Sequence, residues 1–367
     1  MTEGGNRTRI AFLLGAGASV DAGYPTAVGL TNKLDDWVSE NRIELLHALR
    51  FVTGALQFGR SCRGESLSAD TNIEDILSAC SFLTTRSRSF AYPFVGAWHE
   101  RLAALERVFS ESSTGANPFD ALSTVAKQRL RDWLWIESSD VARVKYLWSF
   151  QDFLNDGFAL DIFTLNYDAT VEVALETSRG QINGDWTTGF GDRGWDPLLL
   201  EIDRPVRLFK LHGSLDWVRD ERLGLCSLRW PPAIDSEEIP ESVDSLLIFG
   251  TDAKLQAVDP FLTLLYRFRQ SLFESAAVVI IGYSFGDQHV NDILWEAMQR
   301  EATKRCIVVN SSPILDRLSV DPRLGRLADV ENRFRQVQAT AREAFEKNLA
   351  LAELKRVLAE QASEEPF

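Results

Sequence analysis

The chain is poor in the residues that build metal and redox centres, with four cysteines and four histidines among 367 residues. Cys62, Cys80, Cys226 and Cys306 stand far apart and form no C-x-x-C pair. That spacing excludes a zinc ribbon and a thioredoxin-type motif and predicts reduced, buried thiols. Basic charge is also short: 39 Lys and Arg face 53 Asp and Glu, a formal net charge of −14. A broad basic surface following a nucleic-acid backbone is therefore not expected. A small anionic ligand is still allowed, because backbone N–H groups bind phosphate without Lys or Arg. Long apolar runs are missing as well. The segment before Ile10 is polar, and Ile10 to Leu14 is too short to cross a membrane or form the core of a secretory signal. These features predict a cytoplasmic protein with no membrane attachment. The sequence carries no internal repeat and no low-complexity tract.

What the chain does have is a hydrophobic content of 45%, enough for a large α/β domain carrying an insertion, or for two domains. Ile10 to Leu14 reads as a buried strand. Gly15 to Gly23 reads as a small-residue turn leading past Pro25 into a helix through Leu30, Leu34 and Trp37. From Arg42 to about Asp156 apolar residues recur at helical spacing, as in Ile73, Ile76, Leu77 and Cys80. Strand patterns return at Leu160 to Leu165, Val206 to Leu211, Leu246 to Phe249, Ala277 to Ile281 and Cys306 to Val309, with helices at Phe261 to Phe273 and Val290 to Arg300. The pattern predicts a doubly wound parallel sheet built from residues 1–41 and 157–331, with a helical subdomain inserted at 42–156. Residues 332–367 read as a helical tail of alternating charge.

The polar residues that end these strands should gather along one sheet edge, where open α/β sheets bind ligands. Gly15-Ala16-Gly17-Ala18-Ser19 permits a tight turn and a close approach to a diphosphate, with N–H donors from the helix that follows. Val20 stands where a third glycine would complete the dinucleotide fingerprint, and Asp35 and Asp36 fall inside a helix, which disfavours a hydride-transferring enzyme. Asn166 and Asp168 flank Tyr167 after an apolar strand; Asp168 either caps the next helix or faces the crevice. His212 ends a strand and precedes Gly213, placing an imidazole where a ribose hydroxyl or water could be held or deprotonated. Gly282 and Ser284, after Val278 to Ile281, and Asn310, after Ile307 to Val309, offer further groups for a phosphate and a ribose.

The ordered set GAGAS, TLNYD, KLHGS and IIGYSFGD resembles the sirtuins, and more closely the sirtuin-like NAD hydrolases of bacterial anti-phage defence. The resemblance implies a Rossmann-like fold in which Gly15 to Ser19 bind the cofactor diphosphate, Asn166 lies by the nicotinamide ribose and His212 is catalytic. Protein-deacylating sirtuins carry a four-cysteine zinc module that this sequence lacks, so the resemblance implies NAD as substrate, no metal, and water as acceptor. Asp168 is then expected to shape the nicotinamide pocket. A zinc-free deacylase, an ADP-ribosyltransferase and a nucleotide-sensing subunit are the alternatives. The resemblance also implies a homo-oligomer and a HerA-type hexameric ATPase as partner.

Overall fold

The computed structural model describes residues 7–62, 64, 71–86, 99–112, 117–137, 139–178, 182, 185–222, 224–229, 259–313, 318, 321–329 and 331–364. The expected strand Leu246 to Phe249 lies outside them. The chain forms two compact units, Pro25–Leu134 and a second made of Met1–Tyr24 with Trp135–Phe367.

The second unit is built on a parallel sheet. Its strands are β1 (Thr8–Leu14), β2 (Phe158–Thr164), β3 (Trp186–Thr187), β6 (Val206–Lys210), β9 (Val278–Ile281), β10 (Cys306–Asn310) and β11 (Phe334–Gln338). Two small antiparallel pairs accompany it, β4 (Phe190–Gly191) with β5 (Gly194–Trp195), and β7 (Trp217–Asp220) with β8 (Gly224–Ser227). The seven-stranded order is β11-β10-β9-β1-β2-β6-β3, and every pairing in it is parallel. The chain thus builds outward from β1 through β2 to β6, then returns to the other side of β1 and continues through β9. This is the doubly wound arrangement that the sequence predicts, with its switch point between β1 and β9.

Burial on both faces explains why these strands read as continuous apolar runs. On one face Ala11, Leu13, Phe163, Phe209, Val278 and Ile280 join a core with Phe268 and Leu272 of the helix Phe261–Glu274. Phe163 stacks on Phe209 at 4.5 Å and meets Phe268 edge-on at 5.0 Å. On the other, Phe12 meets Phe150 and Phe153 at 5.3 and 5.1 Å, and Phe345 closes on Phe150 at 5.0 Å.

Residues 332–362 depart from the helical tail. Phe334–Gln338 is an edge strand, and only Ala341–Glu346 and Leu349–Glu364 are helical. The strand alternates buried Phe334 with partly exposed polar residues, so its charges mimic a solvated helix. Leu354 and Val357 are fully buried, and Gln361 Nε2 donates to the carbonyls of Ala276 and Thr303 at 3.2 and 3.1 Å. The segment therefore completes the sheet unit.

Three buried charged systems tie the sheet to its neighbouring elements. Asp161, fully buried on β2, takes Arg207 through both carboxylate oxygens at 2.7 Å, Arg9 at 2.8 Å and Ser271 Oγ at 2.7 Å. Lys304 Nζ donates to the carbonyls of Leu272 and Phe273, and Arg333 to those of Met298 and Glu301. Each cation caps the carboxyl end of a helix, where the dipole favours positive charge.

The first unit is helical among its described residues: Ala27–Asn41, Ile43–Cys62, Ile73–Thr85, His99–Ser112 and Pro118–Leu134. Leu34, Leu49, Ile76, Phe119 and Leu122 form its interior, as the helical spacing predicts. Among the described residues of the chain, no helix is long and apolar enough to cross a membrane.

If the C-terminal segment is part of the sheet unit, Phe345→Ala should lower stability by about 3–5 kcal/mol, the cost of truncating a buried phenylalanine. Urea denaturation measures it, and a loss under about 1 kcal/mol would mean the segment is a detachable tail.

Candidate functional site

The site begins with two loops whose backbones touch. Gly15 N–H donates to Ile281 O and Gly17 N–H to Gly282 O, each at 2.9 Å. A Cβ on Gly15 would lie 2.6 Å from Tyr283 Cα, one on Gly17 2.7 Å from Gly282 Cα, and one on Gly282 2.3 Å from Ala18 N. Gly282 also has φ +64°, in the region that favours glycine. These glycines let the loops after β1 and β9 cross in contact at the switch point. The turn from Gly15 to Gly23 holds a single helical turn, Gly17–Val20, and the helix expected past Pro25 runs Ala27–Asn41. The N–H groups of Gly15, Gly17, Ala18 and Ser19 bond within the protein. The turn itself therefore contributes closeness of backbone more than free donors.

Asn166 locks onto this turn from β2. Its Nδ2 donates to Gly15 O at 3.0 Å and to Ser19 Oγ at 2.9 Å, and its backbone N–H donates to Thr164 Oγ1 at 3.0 Å. With both amide hydrogens committed, the group Asn166 can present to a ligand is its Oδ1 acceptor. Ser19 Oγ lies 3.4 Å from Thr170 Oγ1, and Thr170 donates its N–H and Oγ–H to Asp168 Oδ1 at 3.1 and 2.7 Å. Asp168 thus holds the start of the helix Thr170–Thr177 through Thr170, while the N-cap position itself is Ala169. Tyr146 Oη donates to Ala18 O at 2.5 Å from beneath. Burial pushes its hydroxyl well above the usual tyrosine range, with the charges of Asp168 and Asp21 adding to the effect, so it remains a neutral donor.

His212 follows β6. Its Nε2 lies 3.0 Å from Asp287 Oδ2, with both side chains under a tenth exposed. Asp287 is also the N-cap of the helix Gln288–Arg300: its Oδ1 accepts from the N–H groups of His289 and Val290 at 3.0 and 3.4 Å. An ionised carboxylate can only accept, so Nε2 carries the hydrogen of that pair. The loop holding Asp287 is tightly built. Tyr283 Oη accepts from Asp287 N–H at 3.1 Å and sits 3.0 Å from Asn291 Oδ1, while Asn291 Nδ2 donates to Phe285 O at 2.9 Å. Phe285 is buried at φ +59°, a left-handed conformation that this network sustains. The Tyr167 ring packs beside the imidazole, its centroid 6.4 Å from that of His212.

The predicted residues thus come to one edge. Asn310 Nδ2 reaches Tyr283 O at 3.4 Å, and its Oδ1 takes Ser312 N–H at 3.3 Å, so its amide braces the β9 loop. Ser284 and Gly286 stand exposed beside it. A groove of about 410 Å³ near Asp152, Asp156, Asn348 and Lys355 lies by the start of β2, at the opposite edge, away from all of these residues. Among the described residues no His, Cys, Asp and Glu group could hold a metal ion.

The sequence places Asp287 at the end of the IIGYSFGD motif without giving it a role, although an Asp opening a helix after Phe-Gly is a cap signal. Sequence reading missed the pair Lys210 and Glu172, 2.9 Å apart and both buried. Burial pushes the Glu172 carboxyl up from the ordinary glutamate range, against the pull of Lys210. Nothing in an apolar helix pattern marked a glutamate as internal.

Two substitutions probe this geometry. Gly282→Ala should lose about 2 kcal/mol or more, from the left-handed backbone and the clash with Ala18 together; a melting curve like wild type would contradict the crossing of the loops. Asp287→Ala should lose about 1 kcal/mol of helix capping, and Asp287→Asn, which keeps an acceptor, much less. Equal losses for the two would mean that Asp287 does not cap the helix.

No curated protein matches this chain. Among solved structures it is similar to a Sir2 homologue in complex with NAD, at 14% identity and TM-score 0.46 over 96% of this chain and 91% of that one. A mutant Sir2 homologue in complex with 2′-O-acetyl-ADP-ribose is similar at 13% identity and TM-score 0.45, covering 96% and 94%. Residues 161–329, from the middle of β2 to the segment before β11, match the model of the SIR2-like domain.

Proposed function

We propose that the chain hydrolyses NAD to ADP-ribose and nicotinamide. The observation that carries this reading is the meeting of the Gly15–Gly17 and Gly282 backbones at the switch point, with Asn166 and His212 supplied by the ends of the two strands on one side of it. That is where a doubly wound sheet binds a dinucleotide. A side-chain-free crossing admits a diphosphate, and an amide oxygen and an imidazole beside it suit a ribose.

The chemistry asks little more. The bond between ribose C1′ and the nicotinamide nitrogen breaks, and its electron pair leaves with the ring, cancelling the ring's positive charge. A water oxygen bonds to C1′ and gives up a proton. In this reading Asn166 Oδ1 holds the water or a ribose hydroxyl, and His212, oriented by Asp287, takes the proton. Asp168 shapes the nicotinamide side of the pocket, while Gly15 to Ser19, Gly282, Ser284 and Asn310 face the rest of the dinucleotide. No metal is needed.

The biological setting we infer is cytoplasmic anti-phage defence by NAD depletion. The protein would act as a homo-oligomer paired with a HerA-type hexameric ATPase, through the exposed faces of the helical unit and of Leu349–Glu364. The sequence resemblance supports this setting.

Chromatography of NAD incubated with the protein, alone and with its partner, should show nicotinamide and ADP-ribose in equal amounts. Asn166→Ala and His212→Ala should each reduce turnover by about 100-fold or more with elution unchanged. Transfer of ADP-ribose or an acyl group to a peptide instead would favour the transferase or deacylase. Binding without turnover under every activating condition would favour a nucleotide sensor.

A further inference from the structure

We propose that Lys210, paired with Glu172, is a positioning residue of this site: it fixes the turn bearing Asn166 and Asp168 against the turn bearing His212. The proposal rests on the NAD-hydrolase reading for its kinetic consequence, and on geometry alone for the placement of the turns.

Lys210 ends β6, in register with Thr164 at the end of β2, and is 2% exposed. Its ammonium has three hydrogens and three acceptors: Glu172 Oε1 at 2.9 Å, Asp168 O, and Tyr167 O at 3.5 Å. Two of these are main-chain carbonyls of the very turn that carries Asn166 and Asp168. Tyr167 O also accepts Leu215 N–H at 3.2 Å, so one carbonyl joins the turns after β2 and β6. The second turn is held in its own right, since Ser214 Oγ donates to Asp216, which also takes Ser227 Oγ at 2.7 Å.

Stability does not explain the pair. Two charges removed from water gain little over apolar side chains of similar volume. A cation beside the first turn of the helix Thr170–Thr177 also opposes the helix dipole. Glu172 lies in that first turn and offsets the charge, while its Oε2 has no hydrogen-bond partner among the described residues. What an apolar pair could not supply is a set of directed hydrogen bonds to the carbonyls of residues 167 and 168. Displacing a positioning group by about 1 Å can cost about 100-fold in rate.

The test is the double variant Lys210→Met with Glu172→Leu, which leaves no buried charge unpaired. It should melt close to wild type, bind NAD within about threefold, and turn NAD over about 100-fold more slowly. Hydrogen exchange of a peptide covering residues 165–172 should be faster while the strands stay protected. A folded double variant with wild-type turnover and wild-type exchange overturns the proposal. Should the double variant not fold, Lys210→Gln is read by the same measurements with the same two outcomes. Should the wild-type protein not cleave NAD at all, the hydrolase reading fails and exchange alone decides: unchanged protection at 165–172 rejects the positioning role, and faster exchange upholds it.

Discussion

Everything at the carboxyl edge of this sheet depends on two polypeptide backbones passing within hydrogen-bond distance at the switch point. Gly17 N–H reaches Gly282 O directly, and a single methyl group on Gly15, Gly17 or Gly282 would collide with main chain of the opposite loop. The crossing sets where the β1 turn lies. Asn166 is oriented by that turn, because its amide spans Gly15 O and Ser19 Oγ. The same crossing fixes the loop that carries Asp287 to His212. A defect in the glycines therefore propagates to every polar group of the site.

The charged interior divides by edge. At the amino ends of the strands, buried cations do structural work. Lys304 and Arg333 cap the helices that return the chain to the sheet, and burial pushes the affinity of each for its proton down. At the carboxyl ends, charge is used for placement: Lys210 on a turn, Asp287 on an imidazole.

Much of this was legible in the sequence. Buried parallel strands read as short apolar runs, and β1, β2, β6, β9 and β10 were placed within two residues of their ends. The gathering of Gly15, Asn166, His212, Gly282 and Asn310 on one edge followed from their strand-end positions alone. What could not be read has physical reasons. β3 has two residues, too few for periodicity, and β11 lies at an edge where alternating Arg335, Gln336 and Gln338 resemble a solvated helix. Glu172 and Lys210 are charged residues in apolar surroundings, and a sequence pattern assigns such residues to solvent.

The most direct measurement of the central claim is a crystal structure of the protein with ADP-ribose bound. The account predicts the diphosphate against the Gly15–Gly17 and Gly282 crossing, with the ribose beside Asn166 Oδ1 and His212. Density for the ligand in the groove near Asp152 and Lys355, or anywhere away from the carboxyl ends of β1, β2, β6 and β9, would contradict it.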